Sequence, residues 1–173
     1  MKEDFFVDET EIVKVLEKIE QCDNSSFARY ISDEGLNLCD EAVLRNAFFN
    51  YSISAYGRRN DGEITSIVVV SMPIPTSKAQ SGYLMACFLN DESNSAQSIQ
   101  FIKDAFTNIV STNELTKIKV KIKTDIHWWT SFEGLADELT LEQEASIPSA
   151  YGDKTDLLIY SFFGEHNLSL IHI

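Results

Sequence analysis

The sequence has little cysteine or histidine, few basic residues for its acids, and no long apolar run. Three cysteines, Cys22, Cys39 and Cys87, stand in 173 residues with no close pair. That excludes a disulfide-stapled secreted scaffold, and all three read as reduced structural thiols. His127, His166 and His172 lie at metal-ligand spacing neither with a cysteine nor with one another, so no metal is expected. Lys and Arg number 14 against 27 Asp and Glu, a formal net charge of −13. A field of that sign repels phosphate at a distance and disfavours nucleic acid as a partner. The most apolar stretch, Ile64 to Pro75, is broken by Thr65, Ser66 and Ser71. It falls far short of the ~20 residues that a membrane helix needs, so no membrane partner is expected. MKEDFFVDETE mixes acids into any would-be signal-peptide core, and LSLIHI carries no retention or lipidation signal. A cytoplasmic protein is the reading these absences leave.

Hydrophobic residues make up 44% and charged residues 24%, spread evenly, which excludes disorder and indicates an ordinary globular chain. The length suits one domain, residues 1–173. A short strand is expected at Asp4 to Val7. Asp8 and Glu11 form a capping-box pattern. The helix that follows runs to about Gln21, with Ile12, Val15, Leu16 and Ile19 on one face. Asp23 to Cys39 is weakly patterned. Asp40 reads as the cap of a second helix, with Val43, Leu44, Ala47 and Phe48 inward.

The period then changes. Tyr51 to Arg58 and Glu63 to Met72 read as strands joined through Arg59-Asn60-Asp61-Gly62, an Asp-Gly hairpin signal. Pro73 and Pro75 end the second strand. Gly82 to Leu89 is apolar nearly throughout and reads as a strand buried on both faces. The polar segment Asn90 to Ser95 leads into a helix over about Ala96 to Val110. Lys117 to Lys123 alternates Lys with Ile or Val, which predicts one buried and one wet face. Its lysines serve either as an anion-binding strip or as an exposed face offset by the glutamates of Glu138 to Glu144. A short helix over Ile126 to Ala136 and strands at Glu138 to Ala145 and Thr155 to Phe163 complete the chain. Trp128 and Trp129 cannot both enter one core from a helix. One is expected to cover a cleft or a dimer contact, so a homodimer is among the partners considered. The order β-α-α-β-β-β-α-β-α-β-β predicts an α/β fold of the α+β type. Its sheet is mixed, mainly antiparallel, with six or seven strands flanked by helices.

Four motifs recur in a telling order: Asp61-Gly62-Glu63-Ile64, Ala105-Phe106, Phe132-Glu133-Gly134-Leu135, and Thr155-Asp156 before Leu157 to Phe163. From about Asp40 to Phe163 they resemble the GNAT acyltransferases, most closely the branch that acetylates ribosomal-protein N-termini. The resemblance implies acetyl-CoA as cofactor and N-acetylation of a small amine or a peptide N-terminus. It places cofactor contacts at Leu89, Asn90, Ser93, Asn94 and Ser95, and at Asp125 near the start of the later helix. The family cradles pyrophosphate on a Gly-rich loop at a helix N-terminus. Here that loop is Asn90 to Gln97, without glycine or arginine and with Asp91 and Glu92. Trp128 and Phe132 stand roughly where the family carries hydroxyls.

Direct acetyl transfer needs a base for the amine and an acid for the thiolate. The candidates are Glu142, which shares a strand face with Glu138 and Glu144, and His127, expected to be partly buried beside the tryptophans. Tyr160, of opposite parity to Leu157 and Ile159, is the candidate acid if it faces a cleft; the other reading is a core tyrosine with a satisfied hydroxyl. Glu144 and Tyr151 are further possibilities. The missing glycines and hydroxyls imply weak or no acetyl-CoA binding. They also support a second reading, a non-catalytic GNAT-fold binding or interaction protein.

Overall fold

The computed structural model describes residues 2–74, 80–90, 95–152 and 154–164. The eight strands are β1 (Lys2–Val7), β2 (Arg29–Ile31), β3 (Ile53–Asn60), β4 (Glu63–Ser71), β5 (Ser81–Phe88), β6 (Lys117–Lys123), β7 (Leu141–Ile147) and β8 (Leu157–Phe163). The helices are α1 (Ile12–Glu20), α2 (Glu41–Phe49), α3 (Ala96–Thr112) and α4 (Phe132–Glu138). The sheet order is β1-β3-β4-β5-β6-β8-β7, with β2 paired to β5 outside that path. Every pairing is antiparallel except β5 with β6.

Local chemistry accounts for the element ends. Asp40 Oδ1 accepts from Ala42 N at 2.9 Å and Val43 N at 3.3 Å, which starts α2. Ser95 Oγ accepts from Ser98 N at 3.1 Å and caps α3. Asp8 accepts from Thr10 N at 3.0 Å. The expected capping box is not completed, because Glu11 is drawn away to the Arg59 guanidinium. The β3–β4 hairpin is tighter than expected. Asp61 and Gly62 alone form the turn, at φ 52° and 84°, as a two-residue hairpin with positive φ at both positions requires.

Two apolar layers cover the sheet. Ile12, Val15, Ile19, Leu44 and Ala47 of α1 and α2 pack over Ile67, Val69, Ala86 and Phe88 on one face. On the other face, Phe101, Ile102, Ala105 and Phe106 of α3, with Phe132 and Leu135 of α4, cover Val68, Leu84, Val120 and Phe162. The alternation in β6 holds residue by residue: Ile118, Val120 and Ile122 are fully buried and the four lysines are half-buried on the opposite face.

Several boundaries depart from expectation. Glu138 ends α4 and β7 begins at Leu141, because Thr140 turns the chain at φ 57°. Val43 is largely exposed rather than inward. β5 is buried on both faces only at its end, since Tyr83 and Met85 stay half-exposed. The largest difference is β2, an eighth strand within the stretch that carried little pattern.

Candidate functional site

The parallel pair β5–β6 holds together only at Ser81–Lys117, Gly82–Ile118 and Tyr83–Lys119. Gly82 permits the close approach on its other side, since a Cβ there would lie 2.9 Å from the Ser71 carbonyl oxygen. Past Tyr83, β5 shifts register against β4 between Val69 and Val70, and β5 and β6 part into a wedge. Strand β2 lies along the freed edge of β5, pairing Arg29–Phe88, Tyr30–Cys87 and Ile31–Ala86. The pairing continues at both ends. Leu89 N donates to the Ala28 carbonyl at 2.9 Å, and Ser32 N donates to the Met85 carbonyl at 2.9 Å.

Aromatic packing and two long-range hydrogen bonds hold β2 in place. Tyr30 is 1% exposed and its hydroxyl donates across the wedge to the Lys121 carbonyl at 2.9 Å. Burial drives its phenol pKa far up, so the hydroxyl serves as a neutral donor. The Phe27 ring lies 5.7 Å from Tyr30, 5.2 Å from Phe132 and 6.2 Å from Trp128. Trp128 Nε1 donates to the Asn24 carbonyl at 2.7 Å. Trp128 therefore covers the filled wedge, as expected of one of the two tryptophans. The Arg29 guanidinium stacks 4.1 Å from the Phe88 ring centroid and donates to the Ala28 and Leu89 carbonyls. Beneath β2, burial pushes the Cys22 thiol up to about 12 and raises Cys87 as well, so both are inert.

Beside β2 opens a polar cleft of about 220 Å³, lined among others by Asp33, Glu34, Lys121, Lys123, Asp125 and Tyr151. Lys121 Nζ meets Glu34 at 3.1 Å and Lys123 Nζ meets Asp33 at 2.7 Å. The Lys123 ammonium also lies 4.4 Å from the Tyr151 ring centroid. Burial acts most strongly against the Lys123 charge, but the Asp33 hydrogen bond and the negative charges of Asp33 and Asp125 together outweigh it and raise its pKa. Farther along the strip, Glu144 accepts from Lys117 at 2.8 Å and from Ser161 Oγ at 2.5 Å. Burial opposes the Glu144 charge, yet these two bonds with the charges of Lys117 and Lys119 hold its carboxyl below the ordinary value. The lysine strip is thus largely neutralised. Glu144 supplies one partner, and Asp33 and Glu34 supply two that the sequence reading did not anticipate.

The structure does not bring the sequence candidates together. Glu142 is exposed on β7, opposite Ser161, whereas Tyr160 pairs with Gln143 and so projects from the other face. Tyr160 does not face a cleft: it is 4% exposed, its ring 5.0 Å from Phe132. Burial, then the charges of Glu133 and Asp137, raise its pKa. His127 is exposed between β6 and α4, not packed as expected. Among the cofactor candidates, Leu89 N is taken by Ala28, Asn90 N donates to Ser66 Oγ at 3.4 Å, Ser95 caps α3 and Asp125 borders the polar cleft. Ser93 and Asn94, with Asp91 and Glu92, lie outside the described residues. The segment from Phe27 to Ile31 was missed; its one sequence signal is the Phe-Ala-Arg-Tyr-Ile run inside an otherwise polar stretch. Among the described residues, no cluster of three or more His, Cys, Asp or Glu is placed to hold a metal, and no helix is long and apolar enough to cross a membrane.

No family model and no curated protein matches this sequence. Solved structures do match in fold. A Desulfovibrio desulfuricans protein described as an acetyltransferase of the GNAT family superposes with TM-score 0.68 at 11% identity, covering 94% of this chain and 99% of that one. A spermidine N-acetyltransferase from Vibrio cholerae, in complex with CoA and spermine, gives 0.66 at 11%, covering 96% and 98%. The ribosomal-protein-S5-alanine acetyltransferase of Vibrio fischeri gives 0.64 at 9%, covering 95% and 93%. In this chain the pantetheine arm of acetyl-CoA does not fit along β5 while β2 is seated, because residues 28–32 already bond the Met85 to Leu89 edge. With a parting parallel pair at the centre of an otherwise antiparallel sheet, and with helices on both faces, the chain has the GNAT acetyltransferase fold.

Proposed function

We propose that this chain is an acetyl-CoA-dependent N-acyltransferase acting on a small amine or a peptide N-terminus. The observation that carries this reading is the wedge between β5 and β6, with α3, capped by Ser95, following β5. A parted parallel pair offers an extended arm an unladdered strand edge, and a helix N-terminus offers donors to phosphate. The solved relatives that act on spermidine or on a ribosomal-protein alanine support an amine acceptor. The net charge of −13 and the Asp125 carboxylate bordering the cleft favour a basic one. Glu142 and His127 reach solvent and are the proposed bases; Tyr160 carries its phenol on the core side. A cytoplasmic location accords with this reading.

Incubation with acetyl-CoA and a panel of polyamines and basic peptides, read by mass spectrometry, tests it. An acetylated amine accompanied by CoA release is expected. No product from any amine, together with no heat of acetyl-CoA binding, overturns it.

The seating of β2 favours a second reading, a GNAT-fold binding or interaction protein without chemistry. Its support is that 28–32 use the strand edge that a pantetheine arm needs. Asp91 and Glu92 add negative charge to the sequence before α3, and Trp128 and Phe132 supply no hydroxyl. A dissociation constant for acetyl-CoA in the low micromolar range at ~0.15 M salt favours the first reading, because like-charge repulsion alone predicts a site weaker by about two decades, and acetylation of any amine excludes the second.

A further inference from the structure

We infer that residues 24–32 form a displaceable internal strand standing in for the extended arm of the acyl donor, so that donor binding and release of β2 are one coupled step. This rests on the acyltransferase reading.

Three observations carry it. First, the segment is braced within itself. Asn24 N donates to the Arg29 carbonyl at 3.0 Å, Arg29 N to Ser26 at 3.1 Å and Tyr30 N to Phe27 at 3.2 Å. The Asn24 side chain donates to the Ile31 carbonyl and accepts from Ile31 N, both at 2.9 Å. These bonds travel with the segment, so it can leave as a unit without stranding its own backbone groups. Second, its hold on the wedge is of two kinds. Along β5 it forms a strand ladder, which is the bonding an amide-bearing extended ligand would reproduce. Towards the β6 side it is held by side chains: the Tyr30 hydroxyl on Lys121, Trp128 Nε1 on Asn24, and the Phe27 ring against Trp128 and Phe132. Third, the seated position leaves Ser26 Oγ buried without a hydrogen-bond partner. That desolvation cost is relieved when the segment moves to water.

The apparent affinity for the donor is then its intrinsic affinity reduced by the fraction of open molecules. Tyr30→Phe keeps the ring and removes one hydrogen bond from the closed state alone, so calorimetry should show acetyl-CoA binding tightened about five-fold. Asn24→Ala, which removes the clasp, is the second variant, and cooperative melting of each confirms that it folds. Hydrogen exchange on the parent chain gives the direct readout. With acetyl-CoA in excess, amides of 29–32 should exchange faster while those of 85–89 stay protected, the ligand having replaced the strand. If 29–32 remain protected in the saturated complex, or Tyr30→Phe binds no more tightly than the parent, the inference is overturned and the acyltransferase reading stands. If neither the parent nor either variant binds acetyl-CoA, that reading fails and the inference fails with it.

Discussion

Gly35→Ala should lower the stability of the fold and raise its affinity for acetyl-CoA. Gly35 lies buried in the turn after β2, its N donating to Ser32 Oγ at 2.9 Å. A Cβ there would stand 2.2 Å from the Met85 carbonyl oxygen and 3.0 Å from Ile31 Cγ1. Non-bonded heavy atoms settle at about 3.5 Å, so the turn must retreat by roughly 1 Å. The obstructing atom is backbone and cannot swing aside. It is also the acceptor that Ser32 N reaches at 2.9 Å, so the retreat breaks the bond anchoring one end of β2. Overpacking costs about 1–3 kcal/mol and the lost hydrogen bond about 1 more, together roughly 2–4 kcal/mol. For a domain of this size that is a fall in melting temperature of roughly 5–15 °C, readable by circular dichroism. The clash is relieved only where the turn at Gly35 draws back from Met85 together with residues 24–32. A 2 kcal/mol bias towards the open state tightens donor binding by about 30-fold at most. An unchanged melting temperature would refute the close approach of Gly35 to β5. A lower melting temperature with weaker acetyl-CoA binding would show that this turn builds the donor site rather than closing it.

Val120→Asp should abolish cooperative folding, because Val120 is 0% exposed on the core face of β6 and an unpaired buried charge costs several kcal/mol. A thermal melt close to that of the parent would contradict the register of the strand. Changing Lys117, Lys119, Lys121 and Lys123 to Gln should preserve the fold and lower the melting temperature by no more than roughly 10 °C. Their ion pairs are partly open to solvent, and such pairs contribute at most about 1 kcal/mol each; unfolding of this variant would refute that estimate. Glu144 should contribute to acid sensitivity. Its folded pKa lies below the ordinary 4.5, so its stabilisation is complete above that value and is lost as pH falls through the folded pKa. Urea midpoints at neutral and acid pH should therefore differ less for Glu144→Gln than for the parent, and an equal difference would contradict the pairing with Lys117 and Ser161.

Elements whose signal is local could be read from the sequence. The alternation of β6, the Asp-Gly turn and the Asp40 cap each express a period or a hydrogen bond within a few residues. Seven of the eight strands were anticipated. The eighth, β2, spans three residues, too few for a period to show, and its stability comes from partners far along the chain: Phe88, Lys121 and Trp128. For the same reason the cleft was not foreseen. Asp33 and Glu34 acquire their role only by meeting Lys123 and Lys121 across the sheet. Of the two readings that parity left for Tyr160, cleft or core, its place opposite Val120 selects the core face of β8, where α4 covers it. Glu144, the unpaired residue at the register shift in β7, takes the lysine partner that strict parity spread over three glutamates.

A crystal structure of the full chain grown with acetyl-CoA tests the central claim most directly. The account predicts pantetheine density along the Met85 to Leu89 edge of β5, with the Tyr30 hydroxyl withdrawn from the Lys121 carbonyl and residues 24–32 displaced as one braced segment. Donor density elsewhere on the molecule, with β2 still paired to Ala86 through Phe88, would contradict it.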